Sequence, residues 1–230
     1  MEENNLENET VTSQEKELGQ LIFKYGIDLE EARVKETLGE ADFYRQKGYK
    51  VKLPDGLSLD EALVRSPKEM ELLIIKEYDP SIYELARNQI LLGWKAKFEV
   101  LQKGLGSLGL KPDDKYEVRL TRYGTGGSYR YNSSPKKVIV NLEGKKRHLP
   151  AEIICHEIIH LCIQGWINKY KYEDLDLHWS KEHIVDLIMK EIFNDGFKQA
   201  VDSKLAAQID AIFEKNKTNI EEVVKQVGAL

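Results

Sequence analysis

Apolar residues recur at three- and four-residue spacing through most of the first half of the chain and again through its last third, with a short stretch of two-residue alternation between them. The first spacing predicts helices and the second strands. DLEEARVKETLGEADFYRQK (28–47) predicts a helix with Asp28 as its N-cap and Glu31 at the capping-box position. SLDEALVRS and SPKEMELLIIKEY predict two shorter helices, and DPSIYELARNQILLGWKAKFEVLQKG a long one that opens on Asp79 and Pro80 and stops before Gly104. From about residue 115, KYEVRLTRY, GGSYRYN and KKVIVNLE predict three strands of a small antiparallel meander, with turns at 124–127 and 132–135. LPAEIICHEIIHLCIQGW (149–166) predicts a helix over 150–164, with Pro150 in its first turn and Gly165 just past its end. HWSKEHIVDLIMKEIFNDG predicts another, ending at Gly196, and DSKLAAQIDAIFEKNK a last one.

Helices, then strands, then helices indicate an α+β fold, and 230 residues suffice for one sizeable domain. The expected division is a disordered tail (1–14), a helical N-terminal extension (15–78) and a main domain (79–230), because MEENNLENETVTSQ offers little to bury against the entropy of ordering it. The extension is expected to pack as a simple addition, with covering a cleft or recruiting a partner as its functional alternative. A net charge of −5 gives no basic footprint, so nucleic acid is not an expected partner. The acidic, amide-rich start has no apolar core for a secretory signal and no run reaches membrane-spanning length, so the expectation is a cytoplasmic protein without a membrane partner. The oligomeric state is left open. Cys155 and Cys162 stand seven residues apart, about 10 Å along a helix, too far for a disulfide, and read as small core residues.

The polar residues inside the apolar stretch 149–166 change the picture. His156, Glu157 and His160 form H-E-x-x-H, which on a helix puts both imidazoles on one face, within reach of one ion, with the glutamate beside it. A shuffled chain of this composition produces the motif roughly once in a hundred times, so a third ligand has to decide. D-L-H-W-S-K-E-H-I-V-D (176–186) offers His178, Glu182, His183 and Asp186. Glu182 and Asp186 are four apart on a predicted helix, so a glutamate reaching the metal would bring an aspartate to the far nitrogen of a ligating histidine. His183 points about 100° from Glu182 around that helix, and His148 reads as a solvent-facing residue before the first helix.

H-E-x-x-H followed by Glu182 within E-x-x-x-D resembles the gluzincin branch of the zincin metallopeptidases, the thermolysin-like arrangement. The resemblance covers about 80–190. It implies a zincin-like domain in which a small antiparallel or mixed sheet precedes two helices that face each other across Zn2+. It also implies that His156, His160 and Glu182 are the metal ligands, that Glu157 is the general base, and that Asp186 orients the first histidine from the second shell. Residues 136–143 stand in the place of the edge strand along which that family binds peptide substrates. Ile163 and Trp166 occupy the positions where the metzincin branch has glycine and histidine, so that branch is not indicated. Larger gluzincins supply tyrosine and histidine from a C-terminal subdomain to stabilise the transition state. Here His178, Tyr170 and Tyr172 lie in the connection between the two site helices, with His178 the catalytic candidate.

The expected function is therefore zinc-dependent peptide hydrolysis, with a water activated by the metal and by Glu157. The alternatives are a zincin-like binding or scaffold protein and a zinc hydrolase with a non-peptide substrate. An intact Glu157 argues against a scaffold, which has no use for a water-facing carboxylate.

Overall fold

The structure, a computed structural model, describes residues 14–18, 20–143, 149–170, 175–194 and 203–230. The fold is α+β. Two strands open the described chain, β1 (Gln14–Leu18) and β2 (Leu21–Tyr25). A helical insert follows: α1 (Ile27–Gly39), α2 (Ala41–Lys47), a 3-10 turn (Pro54–Gly56), α3 (Leu59–Leu63) and α4 (Pro67–Glu77). Then come α5 (Pro80–Ser107), β3 (Tyr116–Thr121), β4 (Gly127–Arg130), β5 (Lys136–Asn141), α6 (Pro150–Lys169) and α7 (Leu175–Phe193). Two more helices, α8 (Ser203–Asn216) and α9 (Ile220–Val227), close the chain.

The sheet differs from the predicted meander. Its order is β1-β2-β3-β5-β4, with β2, β3 and β5 parallel and β1 and β4 antiparallel at the edges. The N-terminal region is therefore not wholly helical. β2 pairs in register with β3, Leu21 opposite Tyr116 and Phe23 opposite Val118, and buries Leu21, Phe23 and Tyr25. The predicted edge segment 136–143 is overturned as well: β5 lies between β3 and β4, and the edge on that side is β4. The run Val138-Ile139-Val140 is buried throughout, as expected of a strand covered on both faces. The disordered tail and the helix end at Gly196 fall outside the described residues.

Helix boundaries follow local chemistry where caps exist. Ser58 and Ser66 each form a capping box, with Glu61 and Glu69, and Asp79 accepts from the Ser81 N–H ahead of Pro80. Asp28 is not a cap; α1 starts one residue earlier, after Gly26. Gly104 and Gly165 do not end their helices. A Cβ on Gly104 would stand 2.7 Å from Ile192 Cγ1, so this glycine lets α5 and α7 approach closely.

One core joins the sheet to α5, α6, α7, α8 and α9, and a smaller one holds the insert together around Val34, Leu53, Met70, Ile74 and Tyr123. Helix α6 is central, packed on β4 and β5 with α5, α7 and α9 around it. Ile154, Ile158, Ile159 and Ile163 are fully buried, each contributing about 2 kcal/mol of apolar burial that fixes the helix bearing the histidine pair. Among the described residues no helix is long and apolar enough to cross a membrane.

Candidate metal centre

Helices α6 and α7 face each other where α6 carries His156, Glu157 and His160 and α7 carries Glu182 and Asp186. The His156 and His160 Nε2 atoms are 3.1 Å apart, and Glu182 Oε2 lies 3.3 Å from the first and 3.2 Å from the second. Donors held 2.0–2.2 Å from one ion at tetrahedral angles stand about 3.3 Å apart, so the three atoms fit three corners of a zinc tetrahedron. Among the described residues this is the group that can hold a metal ion. Both imidazoles are buried, His156 6 % exposed and His160 2 %, so an ion held by them would be shielded from bulk water. Two imidazole nitrogens turned on one carboxylate oxygen that closely are satisfied by a shared positive charge.

The electrostatics differ among the three side chains. Burial pushes the Glu182 carboxyl up, but the imidazoles of His160 and His156 outweigh it and hold it well below the usual carboxylate range, so it is ionised. Burial drives His160 down to about 4, leaving it the neutral ligand a metal requires. His156 also loses by burial, yet Glu182, Glu157 and Asp186 around it raise it overall. Asp186 Oδ1 stands 3.8 Å from His156 Nδ1, an ion-pair separation longer than a hydrogen bond, on the side away from Glu182. Glu157, 6 % exposed, is pushed up to about 7 chiefly by burial. That value belongs to the metal-free site, and a bound dication would pull it down.

Strand β4 forms the other wall. A Cβ on Gly127 would overlap Glu157 Oε1, so this glycine lets the strand lie directly against the glutamate. The Tyr129 ring stacks on His160, with centroids 5.1 Å apart at 15°, and its hydroxyl donates to Gln164 Oε1 at 2.5 Å. Lys181 Nζ donates to the Tyr129 hydroxyl at 3.2 Å and stands 3.9 Å from Glu182 Oε1. Burial works against its charge, but Tyr129, Glu182 and Glu157 more than compensate, so Lys181 stays an ammonium. The Asn141 N–H donates to Gly126 O, and the alternation of an antiparallel ladder then turns the main-chain groups of Gly127 and Tyr129 toward the free edge. Their carbonyls are met by side chains, Gly127 O by Thr125 Oγ1 at 3.3 Å and Tyr129 O by Arg130 Nη1 at 2.9 Å.

The other candidates fall out differently. His183 turns away and pairs with Asp210 at 2.8 Å. Tyr170 points to the C-terminal helix, donating to Glu221 Oε1 at 2.9 Å, which removes it as an oxyanion candidate. His148 and Tyr172 lie outside the described residues. His178 sits one turn before Glu182, and burial lowers it to about 4. Its Nε2 is 2.7 Å from the hydroxyl of Tyr49, a residue of the N-terminal insert. Burial, and then the charges of Glu182 and Glu157, raise the Tyr49 phenol above its ordinary value, which ties that residue to the centre. Sequence reasoning missed Tyr49, Tyr129 and Lys181. Lys181 had a signal, being adjacent to Glu182, whereas the tyrosines belong to segments distant in the chain. Burial holds the thiols of Cys155 and Cys162 up to about 12, and both cysteines are free. Comparison with protein-family models, with curated proteins and with solved structures finds no match to this chain.

Proposed function

We propose that the chain is a zinc-dependent metallopeptidase of gluzincin type with a zincin-like domain. The observation that carries this reading is the convergence of His156 Nε2, His160 Nε2 and Glu182 Oε2 at 3.1 to 3.3 Å beside a buried glutamate. Zinc, when bound, supplies a Lewis acid that polarises a carbonyl and makes water nucleophilic near neutral pH. Glu157 takes the proton of the attacking water and passes it to the leaving amine, a role for which its place beside the histidine pair and against β4 suits it. Asp186 orients His156 through the Nδ1 side, and the Tyr129 ring fixes the plane of His160.

The peptide adds as a strand to β4, where the outward main-chain groups of Gly127 and Tyr129 adjoin Glu157 and His160. This replaces 136–143 as the substrate strand. His178 is the candidate to meet the developing oxyanion, once its bond to Tyr49 is released.

Metal analysis and a peptide-cleavage assay of wild type and Glu157→Gln test the proposal. The expected result is about one zinc per chain in both and cleavage lower by roughly 10²- to 10⁴-fold in the variant. A protein that takes up no zinc, or a variant that cleaves as well as wild type, would overturn it.

A further inference from the structure

The N-terminal insert closes one side of the site. Helix α1 and the short helix α2 meet at Gly39 and Glu40, and this corner of the insert touches both walls of the metal centre. On the β4 side, Glu36 of α1 pairs with Arg130 through Nη2, while Nη1 of the same guanidinium holds Tyr129 O on the free edge. On the α7 side, Tyr49 joins His178 by the 2.7 Å hydrogen bond and stacks on Trp179, with centroids 5.6 Å apart. Phe43 of α2 packs edge-on against His178 at 5.5 Å.

The root of the insert is held firmly. Lys52 and Gly124 exchange two main-chain hydrogen bonds, at 2.9 and 2.8 Å, and Tyr123 is buried in the core of the insert. Its tip is held more lightly. Helix α2 has only seven residues, Asp42, Arg45 and Gln46 are exposed, and Gly48 ends it at a φ of 65° with open space around it. Ala41 and Tyr44 anchor one face of α2, but a helix this short, with its other face in solvent and a left-handed glycine at its end, belongs to the part of a fold that opens locally.

We propose that the α1–α2 corner and Tyr49 form a strap tied across the metal centre, from the edge of β4 to α7, and that its release admits the peptide. The inference rests on the metallopeptidase reading for what enters. It rests on the contacts alone for the closure. A peptide pairing with β4 needs Tyr129 O, which Arg130 occupies while Glu36 holds that arginine in place. A substrate carbonyl reaching His178 needs the imidazole that Tyr49 occupies. Glu36, which fixes the first obstacle, and Tyr49, which is the second, come from one segment, so one opening loosens both. The closed strap therefore excludes peptide and protein alike, and entry waits on its opening.

Glu36→Gln, Tyr49→Phe and the double variant test this on the full chain, by amide hydrogen exchange and by the rate at which a chelator removes zinc. Two ties of ordinary hydrogen-bond strength correspond to roughly tenfold in the opening equilibrium. The double variant should therefore exchange about tenfold faster at 40–49 and at 129–130, and lose zinc about tenfold faster, with each single variant in between and β2 and β3 unchanged. Exchange and zinc release equal to wild type in the double variant would overturn the strap. Faster exchange spreading into β2 and β3 would overturn it too, because the ties would then serve the fold as a whole. Peptide cleavage separates the two proposals. Wild type without cleavage but with the expected exchange pattern keeps the strap and removes the peptidase. Cleavage with unchanged exchange does the reverse.

Discussion

At the scale of single residues, the chemistry turns on the absence of one side chain. Gly127 has no Cβ, and that space is what lets β4 lie against Glu157. In Gly127→Ala the new methyl would overlap Glu157 Oε1 and stand 2.7 Å from Ile153 Cγ2, so the carboxylate has to move. Peptide cleavage should fall by roughly 10²-fold with zinc content unchanged, since displacements of about 1 Å in a reacting group carry penalties of that size. Gly126→Ala, whose methyl meets nothing within 4 Å, is the matched control and should cleave like wild type. Equal activity in the two variants would show that the position of Glu157 does not matter. The candidate ligands were legible because a helix converts spacing into direction. His156 and His160, and Glu182 and Asp186, stand four apart, and the structure brings each pair to one side of its helix. Tyr49 and Tyr129 had no such rule to reveal them. They reach the centre through sheet order and through the course of the insert, which no local spacing encodes.

At the scale of elements, helix and strand segments were readable and their neighbours were not. GGSYRYN and KKVIVNLE each predicted a strand, yet their order in the chain suggested a meander, whereas β5 pairs in parallel with β3 and pushes β4 to the edge. A usable signal was present in Val138-Ile139-Val140, an uninterrupted apolar run typical of central strands, while Gly127-Ser128-Tyr129-Arg130 has the mixed character of an edge. LIFKY alternates in burial as a strand should, but five residues next to a helical stretch are easily absorbed into it. Gly104 and Gly165 misled for a related reason. Glycine ends helices often, but it also lets helices touch, and the contact with Ile192 shows which role Gly104 serves. Gly104→Ala should therefore destabilise the protein by about 1 to 3 kcal/mol through overpacking, although alanine is the better helix former. A urea unfolding midpoint at or above that of wild type would mean that α5 and α7 separate without cost.

At the scale of the whole molecule, a buried carboxyl joins the insert to the sheet. Glu30 of α1, 1 % exposed, accepts from Tyr83 of α5 at 2.5 Å, Thr121 of β3 at 2.5 Å and the Arg122 N–H at 2.8 Å. Burial raises its proton affinity more than these three donors lower it, so the folded value lies above 4.5. The native state then holds this proton more tightly than the unfolded chain does. The contribution is fully present below the unfolded value and is lost as pH rises from 4.5 through the folded value. Unfolding free energies of wild type should fall relative to Glu30→Gln over that range, by at most about 1.4 kcal/mol per pH unit. Parallel curves would mean that Glu30 titrates alike in both states.

The order of the chain gives the Tyr49–His178 contact a meaning in time. The insert precedes the histidine pair by roughly a hundred residues, which a ribosome takes about 5–20 s to add. The cover is therefore synthesised, and free to assemble around its own small core, before the ligands it will cover exist. If the centre binds a metal and the insert covers it, a nascent chain with this layout makes the roof before the site beneath it.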